Sequence, residues 1–359
     1  MDGTRIGRRE LERFCARVFE SLGVPAEDAL IAAGVLVAAD ARGIPSHGTA
    51  RLGRYTAGLR SGLMKAAERE TIVRESPVSL LVDARGALGA PVSSRAMSRV
   101  IEKAAASGIA FACVRDSNHY GIAGHYAMMA LERDMIGLSM TNTAALGVPT
   151  FARQVMFGTN PLAFAAPADR EKPFVLDMST TVVTRGKIEV YERAGKPLPP
   201  GWAVDRDGRS ASDARTLLRD MLSREGGGIV PLGGDTEEFG GHKGYGLAVM
   251  VDILTGALAG SAFGEAVRDT DASSARVSHC FAAMRIDLFR DAAEFRRDMD
   301  AMLQALRTAP KASGAERVYY AGLKEAEAEE RAEREGIALS GKAIETLRLI
   351  GKDCGTEFP

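Results

Sequence analysis

No CxxC pair, no G-x-G-x-x-G and no G-x-x-x-x-G-K-[ST] occurs in the chain. No run approaches the roughly 20 uninterrupted apolar residues that a membrane helix needs. Each absence removes a class. Without paired cysteines there is no zinc knot, and Cys15, Cys113, Cys280 and Cys354 stand scattered, as in a reducing compartment. Without the glycine fingerprints, neither a standard Rossmann domain nor a P-loop is expected. A formal net charge of -1 removes the electrostatic case for nucleic acid or an anionic membrane as partner. The N-terminal MDGTRIGRRELERF carries charges where a signal peptide has its apolar core, so a cytoplasmic protein is expected.

What is present is a globular chain of 359 residues, long enough for two packed units or for one large α/β unit with an accessory domain. Leu11, Phe14, Val18 and Leu22 recur at helical spacing. Pro25 opens a second helix, and Ser46 is the expected cap of a third that stops near Gly62. From Val78 the texture alternates. VSLLVD reads as a strand, 91–107 as a helix, IAFACVRD as a buried strand, 124–133 as a helix and MIGLSMTN as a further strand, the order of a layered α/β sheet. LAFAAP, FVLDMS and CFAAMRIDLF read as additional strands, 183–192 and 240–260 as helices, and 195–213 as a surface excursion. From Ala292 the chain is mostly helical. Cys113, in an apolar run, reads as core.

Three stretches carry candidate chemistry. In DSNHYGIAGHY, His119 and His125 lie six apart with glycines between, which is not the four-residue spacing of a zinc helix, so no metal is expected. His119 follows a buried strand, where α/β sheets collect ligands, and suits proton transfer; His125 falls inside the next helix and reads as packing. In ADARGIPSHGTARLGRY, His47, Arg51 and Tyr55 fall four apart, putting imidazole, guanidinium and phenol on one helix face. That set suits a carboxylate beside a carbonyl, and it equally describes the polar side of a surface helix. In GGHKGYG, His242, Lys243 and Gly244 open a helix that fits either an anion site or an ordinary glycine-rich start.

Six blocks, RGIPSHGTARLGRY, SNHYGIAGHYAM, FGTNPLAFAAP, LDMSTTVVTRGKIE, PPGWAVDRDG and GHKGYGLAVMVDILTGALAG, resemble in this order the type-2 malate/L-lactate dehydrogenase family. The resemblance runs from about residue 8 to 350. It implies an α/β protein with a non-Rossmann nucleotide-binding sheet domain, over 76–291, and a helical domain formed from both chain ends, 1–75 plus 292–359. It also implies a homodimer and NAD- or NADP-dependent interconversion of 2-hydroxy and 2-oxo acids. Position by position, it makes His47 and His119 rivals for the proton, Arg51 the carboxylate ligand, and Ser46 and Tyr55 pocket neighbours. Asn160, Asp177, Met178, Ser179, Thr180, His242, Lys243 and Gly244 become cofactor contacts. Malate is the expected substrate, with lactate, sulfolactate and a cyclic imine acid as alternatives and a non-catalytic nucleotide-binding scaffold as the reading from another class. Two departures stand out: Thr181 ends the DMSTS-like block, and Ala321-Gly322-Leu323 replaces a PGE, which bears on a cofactor contact there.

Overall fold

The computed structural model describes residues 4–270 and 274–359. In chain order, β1 (Thr4–Ile6) leads to α1 (Arg8–Ser21), α2 (Ala26–Ala41) and α3 (Leu52–Arg60). A hairpin of β2 (Thr71–Ser76) and β3 (Ser79–Asp83) precedes α4 (Gly89–Ser107), β4 (Ile109–Ser117), α5 (Ala123–Met129) and β5 (Met135–Thr141). Then come β6 (Leu162–Ala166), β7 (Phe174–Met178), α6 (Arg185–Arg193), β8 (Ala203–Val204), α7 (Ala214–Ser223) and β9 (Gly228–Ile229). The chain ends with α8 (Gly241–Asp252), β10 (Val277–Arg285), α9 (Ala292–Arg307), α10 (Leu323–Glu335), β11 (Ile337–Leu339) and α11 (Gly341–Asp353).

The helical spacing read in the N-terminal residues buries Leu11, Phe14, Val18 and Phe19 of α1 against α2 and α3. Leu339, Ile344 and Leu347 from the far end complete the same apolar cluster, and β1 pairs antiparallel with β11. The chain ends are thus tied together by burial and by backbone hydrogen bonds.

The sheet has seven strands in the order β2-β3-β4-β10-β5-β6-β7. Only β3 and β4 run parallel as neighbours, joined by the α4 crossover; every other adjacent pair is antiparallel. The strand–helix–strand pattern read across residues 109–142 therefore does not make β4 and β5 neighbours, because β10 arrives from far along the chain and lies between them. α4 and α5 cover one face, with Met97, Tyr120, Tyr126 and Phe281 in the core beneath. α8 and the π-turn after it cover part of the other, packing Val251, Leu254 and Ala259 on Cys113, Met140 and Cys280.

Three expectations need correction. β2 lies within 71–76, where no strand was read. α9 packs through Met299, Leu303 and Phe295 on Phe164 and Phe174 of the β6–β7 edge rather than with the chain ends. The segment 195–213 is only in part the expected surface excursion: most of it is exposed, but Leu198, Ala203, Val204 and Ala211 are buried with Ile188, Leu217 and Met221, and Tyr191 meets Trp202 edge to face. Its glycine and proline content shapes turns inside a small core of its own. Among the described residues no helix is long and apolar enough to cross a membrane.

Candidate active site

The loop after α2 is built as consecutive tight turns, with Ile44 N–H donating to Ala39 O and His47 N–H to Ile44 O. Ser46 does not cap the next helix. Gly48 stands at the cap position, the first N–H is taken by Asp40 of α2, whose Oδ2 accepts from Thr49 N at 2.8 Å and from Thr49 Oγ1 at 2.6 Å, and helical structure starts only at Thr49. A Cβ on Gly48 would lie 1.9 Å from Asp40 Oδ1, so glycine is what lets this carboxylate reach under the loop. Burial pushes the Asp40 carboxyl up to about 6, against the pull of both Thr49 bonds. Freed from the cap, Ser46 places its Oγ 3.0 Å from His47 Nδ1, and its carbonyl accepts from Arg51 Nε at 2.6 Å.

The second wall comes from the end of β4. Asn118 Nδ2 donates to Gly86 O and Ala87 O at 2.9 and 2.8 Å, fixing the turn that presents His119. Tyr55 Oη lies 2.6 Å from His119 Nδ1, and Gly121 N–H donates to the same nitrogen at 3.3 Å. Because a backbone N–H can only donate, Nδ1 is the acceptor and the neutral ring carries its proton on Nε2. The rings of His47 and His119 stack at 5.6 Å. Ser46, His47, Arg51, Tyr55 and His119 therefore share one place. A Cβ on Gly89, in the first turn of α4, would stand 2.1 Å from Asn118 O and 2.7 Å from His119 O. Gly89→Ala is accordingly expected to cost about 1–3 kcal/mol in urea unfolding, the range for overpacking, and to reduce turnover by displacing this turn.

Both imidazoles are held neutral. Burial, then the Arg51 charge, lowers His47 to about 4. Burial lowers His119 well below its ordinary value, with His47, Arg54, Arg51 and His279 adding to the effect. Arg54 was not singled out in the sequence, although it is one helical turn from Arg51. It is exposed and near enough to raise the positive potential at His119. His279 was also missed. It is fully buried, bonded to Thr141 Oγ1 at 2.8 Å and Ser117 Oγ at 2.9 Å and stacked on Tyr120 at 4.3 Å, which braces β4 under the site. Nothing in the strand pattern VSHCFAA marks it as more than core. His125 packs edge to face on Tyr126 within α5, as its helical position suggested.

Asp177 lies one residue before the end of β7, beside α5, with Oδ2 accepting from Gly124 N–H at 2.7 Å. Burial of the carboxyl raises it to about 6 although the side chain still reaches a cavity of about 260 Å³. Arg42, Gly124, Tyr319, Gly322, Lys324 and Asp177 line that cavity, so the segment in which the PGE is missing does stand against a DMSTT residue. Met178 and Ser179 follow half-buried, and Thr180 N–H donates to Thr159 O at 2.9 Å. Asn160, with a positive φ of 36°, accepts from Thr143 N and donates to Ala248 O of α8. At the start of α8, His242 and Lys243 are exposed, whereas a Cβ on Gly244 would meet Leu232 O at 2.2 Å. Thr236 O already accepts from Gly241 N–H. Close packing against residues 232–236 is therefore sufficient reason for the glycines there. Among the described residues, no hydrogen bond or ring contact joins His242 or Lys243 to the His47–His119 pair.

Comparison with known proteins places this geometry in a family. The malate/L-lactate dehydrogenase family matches residues 6–348. The chain is 42% identical to a malate dehydrogenase of Pyrococcus horikoshii over 98% of its length and 96% of that protein's. It is 34% identical to a malate/(S)-sulfolactate dehydrogenase of Methanothermus fervidus, covering 98% of this chain and 99% of that one. The crystal structure of malate dehydrogenase from Entamoeba histolytica superposes with a TM-score of 0.95 at 29% identity, covering both chains completely. These matches set aside the reading as a non-catalytic scaffold. The chain belongs to the malate/L-lactate dehydrogenase family and is an NAD(P)-dependent oxidoreductase acting on the CH–OH group of a 2-hydroxy acid.

Proposed function

We propose that the protein interconverts malate and oxaloacetate, with the substrate held between Arg51, His47 and His119. The observation that carries this reading is the stacked pair of neutral histidines beside a guanidinium whose Nε is fixed by Ser46 O. With Nε engaged, the terminal nitrogens of Arg51 offer a fork to the carboxylate next to the reacting carbon. Two imidazoles then reach one oxygen and divide the work. His119, locked by Tyr55 and Gly121 with Nε2–H outward, donates a hydrogen bond to the substrate oxygen and orients it. His47, neutral and with its Nδ1 beside Ser46, takes the hydroxyl proton on Nε2 during oxidation and returns it during reduction.

The residues at the cavity fit a nicotinamide dinucleotide, which supplies or accepts the hydride when bound. Asp177 offers a carboxylate to ribose hydroxyls. The nearby cations are engaged, Arg42 with Glu329 at 2.6 Å and Lys324 over the Tyr319 ring at 4.3 Å. An available carboxylate and occupied cations favour a free 2′-hydroxyl over a 2′-phosphate, so NAD is the proposed cofactor. Met178, Ser179, Thr180 and Asn160 would support it from the ends of β7 and β6, and His242, Lys243 and Gly244 from α8. The chain ends would form the helical domain and the sheet the nucleotide domain, and β2, which pairs with β3, and α9, which packs on the β6–β7 edge, would go with the sheet. A homodimer accounts for the exposed Phe111, Ile253 and Leu258 on the sheet's less covered face, and four free cysteines suit the cytoplasm.

Arg54 is the cation proposed to meet the second carboxylate of malate. An absorbance screen of oxaloacetate, pyruvate, sulfopyruvate and piperideine-2-carboxylate with NADH and NADPH tests the whole assignment. Oxaloacetate with NADH is expected to give the largest kcat/KM. Arg54→Met is expected to lower kcat/KM for oxaloacetate about tenfold, as for loss of one charged hydrogen bond, and to leave that for pyruvate unchanged. Equal losses on both substrates would remove Arg54 from recognition of the second carboxylate.

A further inference from the structure

Cys113 on β4 and Cys280 on β10 are direct cross-strand partners. The rung they occupy follows from the ladder. Arg285 N–H donates to Gly108 O, which makes that pair a hydrogen-bonded one. Register is unbroken from Met284↔Ile109 to Cys280↔Cys113, and the two kinds of pair alternate along an antiparallel ladder. Five steps from Arg285, the cysteines fall on a non-hydrogen-bonded rung. There Cα atoms stand about 4.5 Å apart and the side chains are closest, inside the Cα range of about 4.4–6.8 Å that a disulfide spans.

Both side chains point to the same face of the sheet, into one apolar cluster, and Cys113 Sγ donates to Leu254 O of the π-turn at 3.5 Å. The facing Cys280 draws the Cys113 thiol below the ordinary range against the effect of burial, while Cys113 and burial together hold Cys280 above it. Cys113 is therefore the more nucleophilic of the two, and at 8% exposure it is also the more accessible, against 2% for Cys280. Burial in an apolar cluster is the ordinary mark of an inert cysteine. A second thiol directly opposite changes that, because it gives an oxidised sulfur an immediate partner.

We propose that Cys113 and Cys280 form an oxidisable dithiol that closes to a cross-strand disulfide in the middle of the sheet, with a small hydroperoxide as oxidant. The Cys113 thiolate attacks one peroxide oxygen, the O–O bond breaks and hydroxide leaves, giving a sulfenic acid. The Cys280 sulfur then attacks the Cys113 sulfur, the S–O bond breaks, and the departing hydroxide takes the Cys280 proton as water. Two thiols and one hydrogen peroxide become one disulfide and two waters, the two electrons passing from sulfur to peroxide. The cross-link spans a single rung of the ladder and draws Cys113 away from Leu254 O. A reducing thiol pool reopens it by exchange.

The test uses the folded, full-length protein. It is treated with hydrogen peroxide, quenched in acid, alkylated after unfolding and mapped by mass spectrometry without reductant. The expected result is a peptide of Cys113 joined to that of Cys280, with loss of two hydrogens and reversal by dithiothreitol. Cys15, wholly buried and raised far above the ordinary thiol range, stays fully alkylatable. In Cys280→Ala the reaction stops one step earlier, and dimedone labels Cys113. If Cys113 and Cys280 both remain alkylatable at doses that oxidise the more accessible Cys354, or if Cys113 links elsewhere, the proposal is overturned. The wild-type map decides this even if the variant does not fold.

Discussion

Alanine in place of His47 is expected to lower turnover in malate oxidation by about 10²–10⁴-fold, the usual worth of a positioned general base, with NADH binding retained. The pH profile makes the prediction specific. The free enzyme holds His47 near 4, so the imidazole is neutral and competent as a base above that pH and protonated below it. For oxidation, kcat/KM is therefore expected to fall as pH drops through about 4, and His47→Ala should erase that limb. His119→Ala should lower the rate but keep the limb, since a second proton on its Nδ1 would face the Gly121 N–H, which can only donate, in a site where burial already disfavours the charged ring. The opposite pattern would exchange their roles. In the reduction direction, the proton must first be loaded onto His47, and the carboxylates of a bound 2-oxo acid favour that form, raising its pKa in the complex.

Removing Arg51 is the other large effect. Arg51→Met takes away a charge-assisted fork in a partly dry site. At roughly 1.5–3 kcal/mol for hydrogen bonds to a charged group, KM for oxaloacetate should rise about 10- to 150-fold. Arg51→Lys restores the charge but not the planar geometry and should recover only part of the loss. Because Arg51 Nε also holds Ser46 O, some fall in kcat is expected as the neighbouring His47 loosens. Initial-rate kinetics with both variants separate these effects. A normal KM for Arg51→Met would assign the carboxylate to another cation.

Local pattern made the elements readable, and long-range partnership made the rest unreadable. The spacing of Leu11, Phe14 and Val18 determines which face of α1 is buried, and apolar runs such as IAFACV mark buried strands wherever they pair. The cap of the 49–60 helical segment was misread because the capping carboxylate, Asp40, sits on the preceding helix, while Ser46 had the right chemistry at the right distance. The order of the sheet was unreadable for the same reason, since nothing local in β10 says that it enters between β4 and β5. Glycines and prolines around Trp202 signalled turns correctly, yet those turns enclose a core. At the candidate site, His47, Arg51, Tyr55 and His119 drew notice as residue types. Their convergence depends on Tyr55 meeting His119, a contact across 64 residues of chain that no short window contains.

The late arrival of β10 also governs how the chain reaches its fold. Until Val277–Arg285 has left the ribosome, β4 and β5 present two unpaired edges in the centre of the protein. The ladder that closes them sets residue 277 beside residue 117. A nascent or C-terminally truncated chain therefore carries a strand-wide slot open to any extended segment, its own or a neighbour's. Pairing across so long a loop is slow relative to the helical chain ends, so the central ladder is expected to be the last part of the sheet to form.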